Sequence, residues 1–315
     1  MIRFEEFEYP SSDGKSRIAA SRWMPEGEPK AVVQILHGIC EYVGRFDELA
    51  RYLCGRGFLV TGNDHLGHGR TAELNGKRGI LAEKDGWMRA AEDVRRLREL
   101  TGERYPGLPF FMLGHSMGSF LLRTYLIRWP GELSGAVIAG TGQEPAAVLA
   151  FGRTLAAVIG ALAGKEHVSP LMHGLAMGSY NRQFAPNRTP ADWLTRDKAA
   201  VDKYLADKRC GFIPSVWLYR DMLGGMLYIS RRKNLDRMDP STPVYIYSGD
   251  RDPVGGRGRG VRTVYGYFRD RGVKDLTLRL YEGGRHEMHN EINRGEVFRD
   301  LSDWLEAHLP QERNI

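Results

Sequence analysis

Short apolar runs punctuate this chain, and between them apolar residues recur at the spacing of a helix face. Ala31 to Leu36, Phe58 to Thr61 and Leu133 to Ala139 are nearly continuous apolar runs, the pattern of strands buried on both faces. Phe46 to Leu53 reads as a helix stopped at Gly55 or Gly57. Trp87, Ala91, Val94 and Leu97 share one helical face, with Glu92, Asp93, Arg95, Arg96 and Arg98 mostly turned away from it. Upstream, Phe4 to Tyr9 and Ile18 to Met24 read as an antiparallel hairpin at a sheet edge, joined by the turn Ser12-Asp13-Gly14-Lys15.

The rhythm breaks after Ala139. Residues 142–239 contain helix-like pieces and turns and no convincing buried strand, and regular alternation resumes with Val244 to Ser248, Val261 to Arg271, Leu276 to Tyr281 and Val297 to His308. Strands alternating with helices predict an α/β fold, a mostly parallel central sheet flanked by helices. The irregular middle is then a helical cap inserted after a sheet strand, which divides the chain into a core of residues 1–141 and 240–315 and a cap of residues 142–239.

Composition adds few constraints. With 315 residues, 42% hydrophobic and 27% charged, the chain can bury a large core and is not of a disordered or fibrous type. A net charge of +6 is spread among 39 acidic residues without a polybasic run, which argues against nucleic acid and leaves room for transient contact with anionic lipid surfaces. Cys40, Cys54 and Cys210 have no metal-type spacing and cannot all pair, as suits a reducing compartment. Acidic residues stand where a signal peptide needs an apolar core, so a cytoplasmic protein, peripheral to membranes at most, is expected. The most apolar run, Ala146 to Gly164, is broken by Arg153 and falls short of a membrane span. Nothing in these features fixes the oligomeric state.

The chemistry centres on Gly114-His115-Ser116-Met117-Gly118, which follows the apolar run Phe110 to Leu113 and precedes an apolar helix-like segment. A strand, sharp turn and helix in that order expose a nucleophilic serine, and the glycines fit where strand and helix crowd together. A serine needs a base, and the base an acid. Val244 to Ser248 leads into Asp250 and Asp252, and Leu276 to Tyr281 leads into Gly283-Gly284-Arg285-His286. Asp252 is preferred over Asp250 because it lies deeper in its loop and precedes Pro253. His286 is preferred over His289, which falls in the next turn or helix and reads as a surface residue. His115 reads as the variable position of the elbow, and Asp64, His65 and His68 as a hydrogen-bonded loop rather than a metal site. The oxyanion of acyl transfer needs two N–H donors, for which Met117 and Ile39 are placed.

His37-Gly38-Ile39-Cys40-Glu41, Gly44-Arg45-Phe46, Asp64-His65-Leu66-Gly67-His68-Gly69, the serine pentapeptide, Asp252-Pro253-Val254 and Arg285-His286-Glu287 together resemble the monoglyceride lipase and lysophospholipase group of α/β-hydrolases, which includes serine aminopeptidase-like members. The resemblance covers nearly the whole chain and is weakest in the cap. It implies Ser116 as nucleophile, Asp252 as acid, His286 as base, and Ile39 and Met117 as oxyanion donors. Tyr42 stands where many members have histidine, and Cys40 where a small residue is common, so the alcohol side of the pocket differs.

The cap is expected to select substrate. Phe151, Leu155 and Ile159 lie in a strongly apolar stretch that suits an acyl tunnel or an interfacial lid, and equally a helix packed on the core or on a partner copy. Cys40, Cys210 and Phe212 are placed with them as pocket residues. Tyr180-Asn181 and Trp193 to Asp197 read as fixed cap architecture. The resulting expectation is a serine carboxylic-ester hydrolase, by resemblance of monoacylglycerol lipase or lysophospholipase type, acting on a small ester or lipid through a Ser-His-Asp triad and an acyl-enzyme, without cofactor, metal or nucleic-acid partner. A peptidase or amidase, with Glu144 or Glu166 holding a substrate ammonium, and a ligand-binding homologue without catalysis are the alternatives.

Overall fold

A computed structural model describes residues 1–310. The chain opens with strands β1 (Arg3–Pro10), β2 (Arg17–Met24) and β3 (Ala31–Leu36), then α1 (Asp47–Gly55), β4 (Phe58–Asn63), α2 (Gly69–Asn75), α3 (Gly86–Arg104), β5 (Phe110–His115), α4 (Met117–Arg128) and β6 (Gly135–Ala139). Five helices follow without a strand: α5 (Ala146–Ala163), α6 (Pro170–Met177), α7 (Lys198–Ala206), α8 (Val216–Tyr228) and α9 (Arg232–Leu235). The alternation then returns as β7 (Val244–Gly249), α10 (Arg259–Arg269), β8 (Leu276–Tyr281) and α11 (Arg294–Ala307).

The eight strands form one sheet in the order β1-β2-β4-β3-β5-β6-β7-β8. The β1/β2 and β2/β4 pairs are antiparallel, and every pair from β4 to β8 is parallel. The terminal hairpin is therefore an edge, as expected. β4 runs two residues beyond Thr61 because it has a ladder partner on both sides, with Asn63 opposite Ala20. Alternation across the sheet separates two cores. Phe110 and Met112 of β5 face a layer built by α3, α4 and α10, while Phe111 and Leu113 face α1 and α11.

Helix faces explain the layers. On α3, Trp87, Ala90, Ala91, Val94, Leu97 and Thr101 are buried at three- and four-residue spacing, and on α11 Val297, Phe298, Leu301, Trp304 and Leu305 are. Each large apolar side chain so buried contributes about 1.5–3 kcal/mol. α4 is apolar around almost its whole circumference, and every residue from Met117 to Ile127 is buried between the sheet and its neighbours. The serine is thus carried at the start of a helix buried along nearly its whole length.

Three of the five helices between β6 and β7 start on side-chain caps: Ser169 for α6, Asp197 for α7 and Ser215 for α8 each accept backbone N–H groups of the first turn. An isolated bridge pairs Val168 with Ser215. α5 packs on α8 through Ala156, Val216 and Tyr219, with Met172 of α6 beneath. α5 reaches the length and apolar content of a membrane span, yet one side faces the protein, and Phe151 and Leu162 are exposed at 67% and 85%. The insertion is tied to the core by Arg196 Nε to Glu291 (2.9 Å), Tyr42 Oη to Asp207 (2.7 Å) and the N–H of Glu287 to the carbonyl of Leu194 (2.7 Å).

Two glycines test this packing. A Cβ at Gly118 would lie 2.0 Å from the Leu36 carbonyl oxygen, whereas one at Gly266 of α10 meets nothing within 4 Å. Gly118→Ala is expected to destabilise the fold by about 2–4 kcal/mol, and Gly266→Ala to stabilise it by up to about 1 kcal/mol. Urea unfolding of both variants measures the contrast, and equal midpoints would show that the close approach is not a constraint.

Candidate active site

Ser116 sits between β5 and α4 with φ +51° and ψ −120°, outside the comfortable region for a residue with a side chain. The turn closes so tightly that a Cβ at Gly114 would meet the Gly118 carbonyl oxygen at 2.4 Å. The Ser116 N–H is held by the Ala139 carbonyl of β6 at 3.0 Å. This is the strained strand-to-helix elbow that the pentapeptide predicts.

The loops after β7 and β8 bring Asp252 and His286 together. His286 Nδ1 lies 3.0 Å from Asp252 Oδ1, and both side chains are buried. Asp252 also accepts from Ser248 Oγ at 2.8 Å and from the Val254 N–H at 2.9 Å. Burial alone would raise this carboxyl, but the imidazole and those donors hold it below its usual value. Burial would likewise lower His286, and Asp252 reverses the sign and holds it above the ordinary imidazole value. Ser116 Oγ has no hydrogen bond to His286 among the described residues; the tilted His115 and His286 rings lie 4.7 Å apart, Trp193, 5.1 Å from the His286 ring, shares a cavity with Ser116, and a Cβ on Gly140, next to the Ala139 that holds the serine N–H, would stand 3.2 Å from the His286 ring. Asp250 serves another purpose, accepting the Gly283 N–H at 2.8 Å.

After β3 the chain turns back on itself. A Cβ on Gly38 would stand 3.1 Å from Ser116 Cβ, so this loop touches the serine. The N–H groups of Ile39 and Met117 donate to no protein acceptor among the described residues. The loop is fixed from two sides. His37 Nε2 accepts the His65 N–H at 2.9 Å, which places its proton on Nδ1, 2.7 Å from the Gly38 carbonyl. Glu41 Oε1 accepts the Gly38 N–H at 2.6 Å and faces His115 Nδ1 at 3.1 Å.

Behind it lies a buried charge cluster that sequence reading gave no role. Arg45 donates to Glu41 at 2.6 Å and to both carboxylate oxygens of Glu287, at 2.5 and 2.6 Å. Burial opposes the charges of Glu41 and Glu287, but Arg45 holds both carboxyls below their usual range. His289 is buried and stacked on Phe46 at 4.1 Å, against its reading as a surface residue, and burial pushes it down to about 3. It makes no contact with Asp252. His115 too is a buried support rather than a free position. Glu41, Arg45 and Glu287 are present in the quoted motifs, but only their convergence across more than 240 residues of sequence reveals a cluster.

Above Ser116 opens a cavity of about 470 Å³, with Ile39 and Met117 at its base and Leu149, Phe151, Met222 and Met226 among its walls. Of the predicted pocket residues, only Phe151 lines it. Leu155 and Ile159 pack instead into the α5/α8 contact around Val216 and Tyr219, one and two turns further along the helix than Phe151. Cys40 is buried in the loop after β3, where its carbonyl accepts the Gly211 N–H at 3.0 Å, which places Cys210 beside it and away from the cavity. Phe212 packs on His68 at 5.6 Å. Asn181 fixes the insertion by accepting the Trp193 N–H at 2.8 Å, but Tyr180 and Trp193 line the cavity and are more than architecture. Glu144 reaches the rim, whereas Glu166 does not. Among the described residues no group of three or more metal-ligating side chains converges.

A mostly parallel sheet that presents a serine on a strained turn beneath a helical insertion defines the α/β-hydrolase class. Residues 27–293 match the family described as serine aminopeptidase, S33, and the chain belongs to that family. Monoacylglycerol lipase of Mycolicibacterium smegmatis is 30% identical over 304 residues, covering 94% of this chain and 95% of that protein. Monoglyceride lipase of Homo sapiens is 29% identical, over 90% of this chain and 84% of its own. The structure of a thermostable carboxyl esterase from Bacillus coagulans, in complex with glycerol, superposes with a TM-score of 0.91 at 29% identity, covering 97% of this chain and 99% of that one. The chain is a monoacylglycerol-lipase-like α/β-hydrolase, an ester hydrolase of this family.

Removing Arg45 strands two buried carboxylates. Arg45→Met is expected to destabilise the protein by about 3–5 kcal/mol at pH 7. Both carboxyls are held below their unfolded value of about 4.3, so the support they give is present above that pH and fades as pH falls through their folded values. The deficit of the variant should therefore shrink toward acid pH. A deficit independent of pH in urea titrations would remove the charge cluster as its cause.

Proposed function

We propose that this protein hydrolyses carboxylic esters of lipid type, with monoacylglycerol as the substrate that fits best and lysophospholipid as a related one, through a covalent acyl-enzyme on Ser116. The observation that carries the reading is Ser116 on a strained turn lining an apolar cavity; the buried Asp252–His286 pair, on the loops after β7 and β8, supports the assignment of acid and base. His286 takes the serine proton at Nε2 while Asp252 holds Nδ1–H, and the attack forms a tetrahedral oxyanion. The unpartnered N–H groups of Ile39 and Met117 are suited to receive that oxygen. His286 then protonates the leaving alcohol, and water releases the acid by the same steps in reverse order. The acyl chain occupies the apolar cavity.

Residues 142–239 act in this reading as a cap over the core of residues 1–141 and 240–315. Leu162 and Leu171, with Phe151 and Leu175 at the open side of the cavity, are exposed and apolar, which supports transient contact of the cap with a lipid surface where such substrates reside. A peptidase reading has one supporting observation, Glu144 at the cavity rim, within a family described by aminopeptidase activity. The apolar walls provide little else to hold an ammonium group.

Ser116→Ala should lose about four orders of magnitude or more in kcat across short and long p-nitrophenyl esters and a monoacylglycerol; residual turnover within about tenfold of wild type would exclude the nucleophile. An aminoacyl amide in the same panel tests the peptidase reading, which requires it to exceed the esters. Because the base must be neutral and Asp252 raises His286, kcat/KM should rise with pH through an apparent pKa above the ordinary value of about 6.5. In Asp252→Asn that limb should move down and kcat fall about 1,000- to 10,000-fold. An acid limb below the ordinary imidazole value in the wild type would contradict the assignment.

A further inference from the structure

Methionine is concentrated where the acyl chain is placed. Of eleven methionines in the chain, Met117, Met172, Met177, Met222 and Met226 line the one cavity above Ser116. Two come from α6 and two from α8, so both helices present thioethers to the same space. Met177 and Met222 are half-buried and open to the cavity, whereas Met117, Met172 and Met226 are buried. The Tyr219 hydroxyl lies 3.9 Å from Met177 Sδ and 2.9 Å from His173 Nδ1.

We propose that this methionine wall is a site of reversible oxidation by organic hydroperoxides, at which sulfoxide formation excludes long acyl chains and leaves short-ester hydrolysis intact. The inference rests on the reading of the cavity as the acyl site. The apolar lining admits a hydroperoxide carrying an alkyl or aryl group. The thioether sulfur attacks the terminal oxygen of R–O–O–H, an S–O bond forms and the O–O bond breaks. Sulfur is oxidised by two electrons, the peroxide is reduced, and the proton passes to the alkoxide to give the alcohol R–OH. The sulfoxide is polar, so a chain entering the cavity must displace its hydration or leave its oxygen unpaired. At Met177 the Tyr219 hydroxyl is placed to donate to that oxygen, which favours retention of the modified form. The cysteines are poorer targets. None lines the cavity, and burial pushes Cys54 to about 12 and raises Cys40 and Cys210 as well, so little thiolate is present.

The test treats the full-length protein with cumene hydroperoxide, maps the oxidised residues by mass spectrometry, and follows hydrolysis of p-nitrophenyl acetate and a long-chain monoacylglycerol. Sulfoxide should form first at Met177 and Met222. The long-chain rate should fall by about tenfold or more and the acetate rate by less than about twofold, with recovery on adding methionine sulfoxide reductases of both epimer specificities together with dithiothreitol as their electron donor, and not with dithiothreitol alone. Bound oleate should protect both residues. Relative to its own untreated rate, the volume-conserving Met177→Leu/Met222→Leu variant should lose less than about twofold in long-chain turnover under oxidant. Unchanged long-chain turnover with both residues oxidised would overturn the proposal, as would parallel loss of both rates or recovery with dithiothreitol alone, which points to cysteine. Failure of the ester-hydrolase reading shows separately, as absence of acetate turnover before oxidant is added. The mapped sulfoxides and their protection by oleate then still decide whether the wall is the oxidised site.

Discussion

The close approach of α4 to the end of β3 governs the geometry of this molecule. Gly118 lies against the carbonyls of Leu36 and His37, and Gly114 against Gly118, with no room for a side chain at either position. That contact sets where α4 begins and therefore where Ser116 stands. It also brings the loop after β3 against the serine, so the N–H of Ile39 and the N–H of Met117 share one small region. The strain at Ser116 persists because the surrounding sheet and a fully buried helix over-determine it.

From that point the site is held by polar groups that face inward. Glu41 fixes the Gly38 N–H and borders His115, and Arg45 joins it to Glu287, the residue after His286. The loop after β3 and the loop that carries His286 are thus connected through one buried guanidinium. A bidentate arginine suits the task, since its planar fork constrains orientation as well as distance. The same loop is tied to the helical insertion through Leu194 and Arg196, so the insertion and the histidine are positioned together.

The insertion divides its apolar surface three ways. Leu149 and Phe151 look into the cavity, Leu155 and Ile159 hold α5 to α8, and Leu162 faces outward. A single helix thereby contributes a cavity wall, an internal packing face and an exposed apolar patch. Methionine in the wall adds side chains that are unbranched and polarizable, able to adapt to irregular space.

The sequence by itself determined the strand and helix alternation, the elbow at Ser116, and the order in which Asp252 and His286 follow it. These features are local: a buried strand shows as an apolar run, a helix as a period, and a tight turn as glycines on either side of a serine. Asp252 and His286 were legible because each closes a recognisable strand. Tertiary structure alone decided what the remaining polar residues do. His289, His115, Arg45 and Glu287 look like ordinary loop or helix residues until the fold places them in one buried cluster, since the distance between two side chains is not encoded in the period of either segment. The same limit explains the pocket. Phe151 and Leu155 are equally apolar and four residues apart, yet only the packing of α5 on α8 decides which of them meets the cavity.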